Sequence, residues 1–489
     1  MSRPRPPSDP ETWPIPCTRC RGHYEIAATW PDGPVCRYCY QAAKRTTGTC
    51  ACGHTGILPG RLDGRPACRD CAGIRLNLDC RTCRAEAELH SGGQCWSCVL
   101  AAAVDRLLTN PHTQQMHPAL APVATALKAM TRPNSGLTWL NQPHVTAFLT
   151  DLATTAIISH ETLDALPPSR TRDYVRALLV THGGLPARDE QLARFTTWSQ
   201  DAIQRLPAGE HREALRRFIR WHLARRMTTT DGKTTHGAFL TAKQTTTVAI
   251  DFLTWLTSRD TTLSELTQAE LDAWQAGGPV TRELAVRFLG WAINARLVDS
   301  RLRMQPHRRG TAVRLSHPEQ ARALARVVDR EKLTPRDRLA AILVLVLAQQ
   351  VEDVVRLTWD QVTVDDDRVT ITIGAHPVEL PSPLDEPLRQ LVTDPGQDRT
   401  AAHPHSPWIF RGHSPGQHID ASHLRRRLKT VCAPRAARLG TLEELTKLSP
   451  IPVLAEILGY HPSTIERHAT NAASTYARYI AARQKPRER

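Results

Sequence analysis

The spacing of apolar residues along the chain predicts a mainly helical protein divided into several segments. Apolar positions recur at helical intervals in Ala119–Met130 and in Glu213–Met227, so residues 101–235 are expected to form one helical domain. The polar stretch Thr228–Gly237 interrupts this pattern. A second helical domain is therefore predicted over 239–310.

The last segment, 311–489, has a different order of elements. Ser316-His-Pro-Glu319 has the spacing of a capping box and predicts the start of a helix, and a strongly apolar helix follows near 335–349. Val369–Ile373 and Pro377–Leu380 are rich in strand formers and predict a small β-hairpin. Helices before and after a small sheet are thus expected.

Length and charge limit the function classes. At 489 residues and 54.4 kDa, the chain is long enough for three or four domains. Lys and Arg number 63 against 48 Asp and Glu, which gives a formal charge of +15 and favours a polyanionic partner, with double-stranded DNA as the first choice. No run reaches the ~18 apolar residues of a membrane span, and no signal peptide opens the chain, so no membrane partner and a cytoplasmic, nucleoid-associated location are expected.

The cysteines predict metal binding. Twelve of the 13 cysteines precede residue 99, and the other is Cys432. They follow a Pro-rich segment, 1–16, which is expected to be disordered. They form three quartets of paired cysteines: Cys17, Cys20, Cys36 and Cys39; Cys50, Cys52, Cys68 and Cys71; Cys80, Cys83, Cys95 and Cys98. Paired thiolates at this spacing suit tetrahedral zinc, so residues 17–100 are expected to form three zinc-ribbon-like modules with up to three structural zinc ions. His54 is an alternative ligand in the second quartet.

Six arginines lie next to these cysteines: Arg19, Arg21, Arg37, Arg69, Arg81 and Arg84. They are interpreted either as phosphate contacts or as solvated charges. A protein partner that docks on the zinc modules is the competing use of this region.

Three stretches of the C-terminal half resemble a known family. Ala341–Leu347 (AILVLVL) is followed by AQQVEDVVRLTWD over 348–360; Arg435-Ala-Ala-Arg438 comes later, and Val453–Tyr460 (VLAEILGY) follows it. They resemble the TGLRxSELLxLxWxD, HxxR and LGH segments of the tyrosine recombinase (phage integrase) family, and the ending is similar to an actinobacterial integrase-like subgroup. The resemblance covers about 240–489. It implies a core-binding-like domain over 239–310 and a catalytic-type domain over 311–489.

The resemblance also implies where catalytic residues should stand. In this family a tyrosine attacks a DNA phosphate, while two arginines, a histidine or tryptophan and a hairpin lysine assist. In the first segment, Gln350 stands in place of the first arginine and Asp353 in place of the usual acidic residue. Ala375 and His376 lie near the position of the lysine. In the second segment, Arg435 stands in place of the histidine of HxxR and Arg438 in place of the second arginine. Tyr460 stands in place of the histidine of LGH, with His461 one residue later, and His468 stands in place of the nucleophile. Only Arg438 matches in kind among the catalytic positions. Tyr476 and Tyr479 come later and continue an apolar helical stripe, which favours a place in the core.

The function expected from the sequence is DNA binding by a recombinase-like protein whose catalytic site is degenerate. Phosphate contacts are predicted from the basic side chains Arg356, Lys429, Arg435 and Arg438. Two alternatives stay open: an active site-specific recombinase that uses Tyr479 or Tyr476, and a transcription regulator whose helix-turn-helix spans Ile451–Ala472 and places Arg467 in its recognition helix. A fourth interpretation is a scaffold that recruits a protein partner. A homo-oligomer on DNA is compatible with each DNA-binding interpretation.

Overall fold

The computed structural model describes residues 6–90, 92–228, 234–305, 313–329, 333–394 and 406–470. Over these residues the protein is mainly helical with short antiparallel sheets, as the apolar pattern predicts. The chain divides into two compact units, one made of 1–185 with 314–489 and the other of 186–313.

The cysteine-rich region consists of small hairpins. Its elements are β1 (Ile26–Trp30), β2 (Gly33–Cys36), α1 (Arg37–Ala43), β3 (Thr47–Thr49), β4 (Thr55–Ile57), β5 (Gly60–Leu62) and β6 (Arg65–Ala67). The strands pair antiparallel as β1–β2, β3–β4 and β5–β6. The described part of the Pro-rich segment, 6–16, differs from the expected disorder. The backbone N–H of His23 donates to Ser8 Oγ at 2.7 Å, and that of Asp9 donates to the His23 carbonyl at 3.1 Å, so the segment is bound to the first hairpin.

A six-helix block follows. It comprises α2 (Trp96–Leu108), α3 (Ala121–Lys128), α4 (Pro133–Leu140), α5 (Pro143–Thr154), α6 (His160–Ala165) and α7 (Arg170–Thr181). Proline at the first position of α4 and of α5, where its missing N–H costs nothing, starts two of these helices. The buried core of this block extends from Leu100 to Leu185.

Residues 186–313 form the second unit around a separate core. Its elements are α8 (Glu190–Ile203), α9 (Glu210–Phe218), a π-helical turn (Ile219–Leu223), α10 (Ala224–Met227), α11 (His236–Thr257), α12 (Gln268–Ala276), a 3-10 helix (Val280–Ala285) and α13 (Val286–Asn294). The boundary between helical blocks therefore falls near residue 185, whereas the sequence pattern predicts it at 235–239. The physical reason is that α11 buries its apolar face against α8 and α9, so segments on both sides of the polar stretch share one core.

The C-terminal domain surrounds one fully buried helix. Its elements are α14 (His317–Val328), α15 (Pro335–Leu345), α16 (Val351–Val354), β7 (Val362–Val364), β8 (Val369–Thr372), β9 (Pro377–Glu379), α17 (Glu386–Thr393), α18 (Ala421–Leu428), α19 (Pro434–Leu448), α20 (Ile451–Leu458) and a helix over 462–470. Every residue of α15 from Leu339 to Leu345 is at most 5% exposed. The sheet order is β7–β8–β9, so the predicted hairpin gains a third strand in which Val364 pairs with Val369.

Candidate metal centres and nucleic-acid interface

The structure brings each predicted cysteine quartet together. In all three, one sulfur atom from each of the four cysteines lies within 4.8 Å of the others. Pairs of sulfurs are 3.7 Å apart for Cys20–Cys36 and for Cys52–Cys68, and 3.8 Å apart for Cys83–Cys95. A tetrahedral ion with zinc–sulfur bonds of about 2.3 Å requires an edge of ~3.8 Å. The separations match a metal-binding shell and exceed the ~2.05 Å of a disulfide.

Backbone N–H groups prepare these sulfurs for a cation. The N–H of Cys68 donates to Cys50 Sγ at 3.4 Å, and the N–H of Cys95 donates to Cys80 Sγ at 3.2 Å. Such donors stabilise the thiolate, and they lower the pKa of Cys50 to about 6, with the N–H of Cys52 as the largest contributor. The donor set therefore suits a soft divalent ion in a closed, structural site.

The turn after the first cysteine pair has the same backbone in each quartet. The residue after the second cysteine adopts a left-handed conformation: φ is 60° at Arg21, 90° at Gly53 and 62° at Arg84. This turn aims the two sulfurs at one point. The Cys50-x-Cys52 pair is followed by a left-handed residue although it has one residue fewer than the other two first pairs.

His54 is not a ligand in this arrangement. Its Nε2 lies 3.0 Å from the Glu86 carboxylate, and the second sulfur shell is completed by the four cysteines. The alternative ligand set considered from the sequence is thus corrected, because the carboxylate of the third module holds the imidazole.

Charged pairs connect the three modules. Arg45 donates to both Glu88 oxygens at 2.7 and 2.9 Å, and Arg69 donates to both Asp79 oxygens at 2.9 and 3.2 Å. Arg19, which is bound to Asp32 at 2.9 Å and lies 4.6 Å from the Trp30 ring centroid, is also internal. Of the six arginines next to the cysteines, Arg69 therefore links two modules and Arg19 is bound within its own module, whereas Arg21, Arg81 and Arg84 remain exposed.

The third quartet is continuous with the helical block. Cys95 is the N-cap of α2, and its sulfur accepts from the N–H of Cys98 at 3.4 Å. The buried residues Leu100, Val104 and Leu108 of the same helix lie in the core of the block. A thiolate at the positive end of a helix is electrostatically favourable. An ion held by this quartet would therefore be coupled to the folding of α2.

In the C-terminal domain, the turn after α15 carries the first family-like segment. Ala348 has φ 52°, a left-handed conformation, and stands where the family's sequence pattern has glycine. Gln349 is buried and donates to the carbonyls of Leu347 and Leu458, both at 3.0 Å. Gln350, at the position of the first arginine, caps α16 and is exposed. It supplies an amide where the family pattern has a guanidinium.

Arg438 is held by Tyr460. The Arg438 Nη1 donates to the Tyr460 hydroxyl at 3.1 Å, and that hydroxyl donates to the Ala348 carbonyl at 2.5 Å. Burial raises the pKa of Tyr460, so the phenol stays protonated. Arg438 and Tyr460, which align with the HxxR and LGH segments, are therefore in contact. The tyrosine in place of the LGH histidine accepts a hydrogen bond from one N–H of the guanidinium.

Asp353 lies beside this group. Partial burial raises the pKa of its carboxyl, and Arg356 and Arg438 oppose the rise, although about half of the side chain is still accessible to solvent. Asp353 and Arg356 form a loose ion pair at 4.0 Å. The position at which the sequence predicts the acidic residue therefore holds a carboxylate that interacts with Arg438.

His468, at the position of the nucleophile, is only 8% exposed. Burial and the nearby charge of Arg438 lower the pKa of His468 and keep its ring neutral. The buried Ile465 anchors the same helix to the domain core, while Arg467 faces solvent. Tyr476 and Tyr479 lie outside the described residues.

The hairpin turn is fixed to α20. The Ala375 N–H donates to the Glu456 carbonyl at 2.8 Å, and a Cβ at Gly374 would lie 2.0 Å from that oxygen. The His376 ring is 3.9 Å from the Glu456 carboxylate. Neither side chain approaches the Arg438 group through a described hydrogen bond.

The basic residues predicted to contact phosphate differ in solvent exposure. Arg356, Lys429, Arg435 and Arg467 are exposed, whereas Arg438 is half-buried. On α18, Arg425 pairs with Glu352 and Arg427 pairs with Asp337. Sequence reasoning missed Arg426, which lies between them, is exposed and forms no ion pair within the described part of the chain; the charge run RRRLK from 425 to 429 is the signal that identifies it.

The C-terminal domain matches a known protein family in sequence. Residues 315–439 match the model of the phage integrase family, so the C-terminal part of the chain contains a domain of that family. The matched range includes Arg438 and ends before Tyr460 and His468.

Solved structures of recombinases are similar at low identity. XerA recombinase is 15% identical with a TM-score of 0.28, covering 57% of this chain and 100% of that one. XerH site-specific recombinase bound to palindromic difH substrate in a post-cleavage complex is 11% identical with a TM-score of 0.38, covering 60% and 94%. The pre-cleavage XerH complex with difH is 12% identical with a TM-score of 0.37, covering 58% and 95%. All three TM-scores are below 0.5, so these likenesses support no statement about function.

No curated protein matches the chain. Among the described residues, no helix is both long enough and apolar enough to cross a bilayer.

Proposed function

We propose that the protein binds double-stranded DNA through its phage integrase family domain and does not cleave it. The observation that carries this proposal is the chain of contacts from Arg438 to Tyr460 to the Ala348 carbonyl. It holds the one matching catalytic arginine by a hydrogen bond to a neutral phenol. Arg438 itself is half-buried, and the position predicted for the nucleophile holds a buried, neutral histidine.

The charge of the site supports binding over chemistry. Strand cleavage builds negative charge on a phosphorane, and each missing donor in such a site costs about 10²–10³ in rate. Gln350 replaces one guanidinium and Ala375 stands near the place of the lysine, so two cationic groups are absent from their expected positions. Binding requires only that cations face the phosphates.

Four exposed cations, Arg356, Lys429, Arg435 and Arg467, can meet the DNA backbone. If each neutralises one phosphate, log K falls with log salt at a slope of roughly −3.6, which is a loss of ~150-fold between 50 and 200 mM salt. Structural zinc in the three quartets belongs to the same proposal. The ions would be held by Cys17, Cys20, Cys36 and Cys39; by Cys50, Cys52, Cys68 and Cys71; and by Cys80, Cys83, Cys95 and Cys98.

The test combines DNA binding with trapping. The full chain is mixed with genomic fragments, the bound sites are footprinted, and nicked suicide versions of those sites are tested for covalent protein–DNA adducts. Salt-dependent binding without an adduct is expected. An adduct that disappears in Tyr479→Phe or Tyr476→Phe would instead establish the active recombinase.

A matched pair of variants tests the interface. Arg435→Gln should reduce the salt slope by about one unit. Lys447→Gln removes the same charge from the same helix, at a residue already paired with Glu444 at 2.7 Å, and should leave the slope unchanged. Equal effects of the two variants would refute a contact at Arg435.

The transcription-regulator alternative is less well supported. Ile451–Leu458, Gly459 and the helix over 462–470 do form two helices joined by a left-handed glycine. However, Ile465 and His468 bury the second helix within its own domain. Loss of footprinting in Arg467→Gln alone, with Arg435→Gln silent, would favour that alternative.

A further inference from the structure

The second unit contains a cavity that the proposed function does not use. Its volume is about 370 Å³, and it lies where the end of the α9–α10 helical segment meets the first turns of α11 and the start of α13. The π-helical turn Ile219–Leu223 forms part of its wall and brings in His222. π-helical turns of this kind are frequent at functional sites.

The polar lining of this cavity is cationic. Arg226 and Arg287 line it together with His222 and the hydroxyl-bearing Thr241, and its described lining includes no carboxylate. Neither arginine forms an ion pair among the described residues. Burial and then the charges of Arg226 and Arg287 lower the pKa of His222, so both guanidinium groups act on the same imidazole. The site concentrates positive charge that has no internal counter-charge.

The rest of the lining is apolar. Leu223, Met227 and Ala242 are buried and form the inner side, and the His222 ring stacks on Phe218 with ring centroids 5.3 Å apart. A volume of this size suits an organic ligand better than a bare ion. Cations at one side and apolar surface at the other fit a molecule with a charged end and a less polar body.

We propose that this cavity binds the phosphate of a nucleotide, with Arg226 and Arg287 on the phosphate oxygens and the apolar side against the nucleoside. Paired guanidinium groups are the usual recognition elements for phosphate. The nucleotide can be free or part of a DNA strand, and the chemistry at the arginines is the same. This site lies within residues 186–313 and does not depend on the phage integrase family domain.

The neighbouring exposed Trp221 is not the binding element. It is 51% exposed, but its ring is contacted by Arg220 and Arg225 at 5.0 and 4.8 Å from the centroid. The cation contacts occupy the ring that a base would need for stacking. Arg225 therefore provides a matched control, since it carries the same charge on the same helix without lining the cavity.

Titration calorimetry of the full chain with AMP, and with inorganic phosphate, tests the proposal. Saturable binding of AMP is expected, with affinity reduced roughly tenfold or more in Arg287→Gln and in Arg226→Gln. Arg225→Gln should change it less than about twofold. The substituted arginines are exposed, so unchanged thermal unfolding is expected to accompany the loss.

A second arm uses a DNA duplex at several salt concentrations. If AMP does not bind but Arg287→Gln weakens DNA binding more than Arg225→Gln, the source of the phosphate is the DNA backbone. If AMP binds and DNA affinity is equal in the two variants, the source is a free nucleotide. If neither ligand distinguishes Arg287→Gln from Arg225→Gln, the cavity is not a phosphate site and the proposal is overturned.

Discussion

Replacing Tyr460 by phenylalanine tests the hydrogen-bonded group at the centre of the candidate site. The change removes one oxygen and leaves the ring, so no cavity forms around the apolar part. It breaks the 2.5 Å bond to the Ala348 carbonyl and the 3.1 Å bond from Arg438. A neutral hydrogen bond contributes about 1 kcal/mol, and one to a charged group about 1.5–3 kcal/mol.

The two bonds together give a loss of about 2–4 kcal/mol. Because Tyr460 is only partly buried, water can replace one partner, and we expect the lower end of that range. For a domain of this size, such a loss lowers Tm by roughly 4–8 °C. Scanning calorimetry of the full chain should show the shift in one transition, that of the C-terminal domain.

A double-mutant cycle with Arg438→Met makes the test specific. If the phenol holds the guanidinium, Tyr460→Phe and Arg438→Met should couple by about 1–2 kcal/mol. Additive effects within about 0.5 kcal/mol, or a Tyr460→Phe protein as stable as the parent, would refute the contact and with it the argument against cleavage.

Three further predictions follow from other parts of the structure. Cys98→Ser should reduce bound zinc from three ions to two by elemental analysis and destabilise the helical block, whereas Cys432→Ser, outside the quartets, should leave the zinc content unchanged. Gly459→Ala should lower the free energy of unfolding, measured by urea denaturation, by about 2–4 kcal/mol, because φ is 71° and the added Cβ would lie 2.6 Å from a hairpin carbonyl. Gly290→Ala, in α13 with open space around it, should instead raise the free energy of unfolding by about 0.5–1 kcal/mol. The pKa of His468 is lowered from its usual 6.5, so the folded state disfavours protonation, and stability should decline as pH falls below about 6.5; His468→Gln should flatten that decline between pH 7.5 and 5.5.

Local spacing predicted well which cysteines come together. Each cysteine pair spans three or four residues, and its turn geometry depends on those residues alone, so the quartets could be identified from the chain. How the modules contact one another could not be predicted from the sequence. The bidentate contact of Arg45 with Glu88 connects residues 43 positions apart, and nothing in a charged surface residue indicates which partner it will meet.

The fold was predictable where an apolar pattern was long. The buried helix α15 follows directly from AILVLVL, while β7, with three residues, is too short to register as a pattern. The polar stretch Thr228–Gly237 misleads for a different reason. A polar stretch within one domain and a linker between two domains have the same composition, and only the packing of the flanking helices distinguishes them.

The candidate residues of the site could be named from the sequence, but the contacts between them could not. The family-like motifs singled out Arg438 and Tyr460, which are in contact, and the left-handed Ala348 fits the glycine of the family pattern. That the Tyr460 hydroxyl binds a carbonyl 112 residues earlier is a three-dimensional fact. It depends on how α19 and α20 pack around α15.

The fixed hairpin turn sets a condition on any attempt to introduce a lysine near the position that the family pattern gives it. A lysine introduced at Ala375 would start from a main chain whose N–H is already committed to Glu456, and Gly374 leaves no space for a side chain beside it. A graft at this position would therefore place the new side chain on a turn that is bonded to α20. In such a design, the contact with α20 would have to be released first, so that the turn could move. The order of the changes would matter as much as their identity.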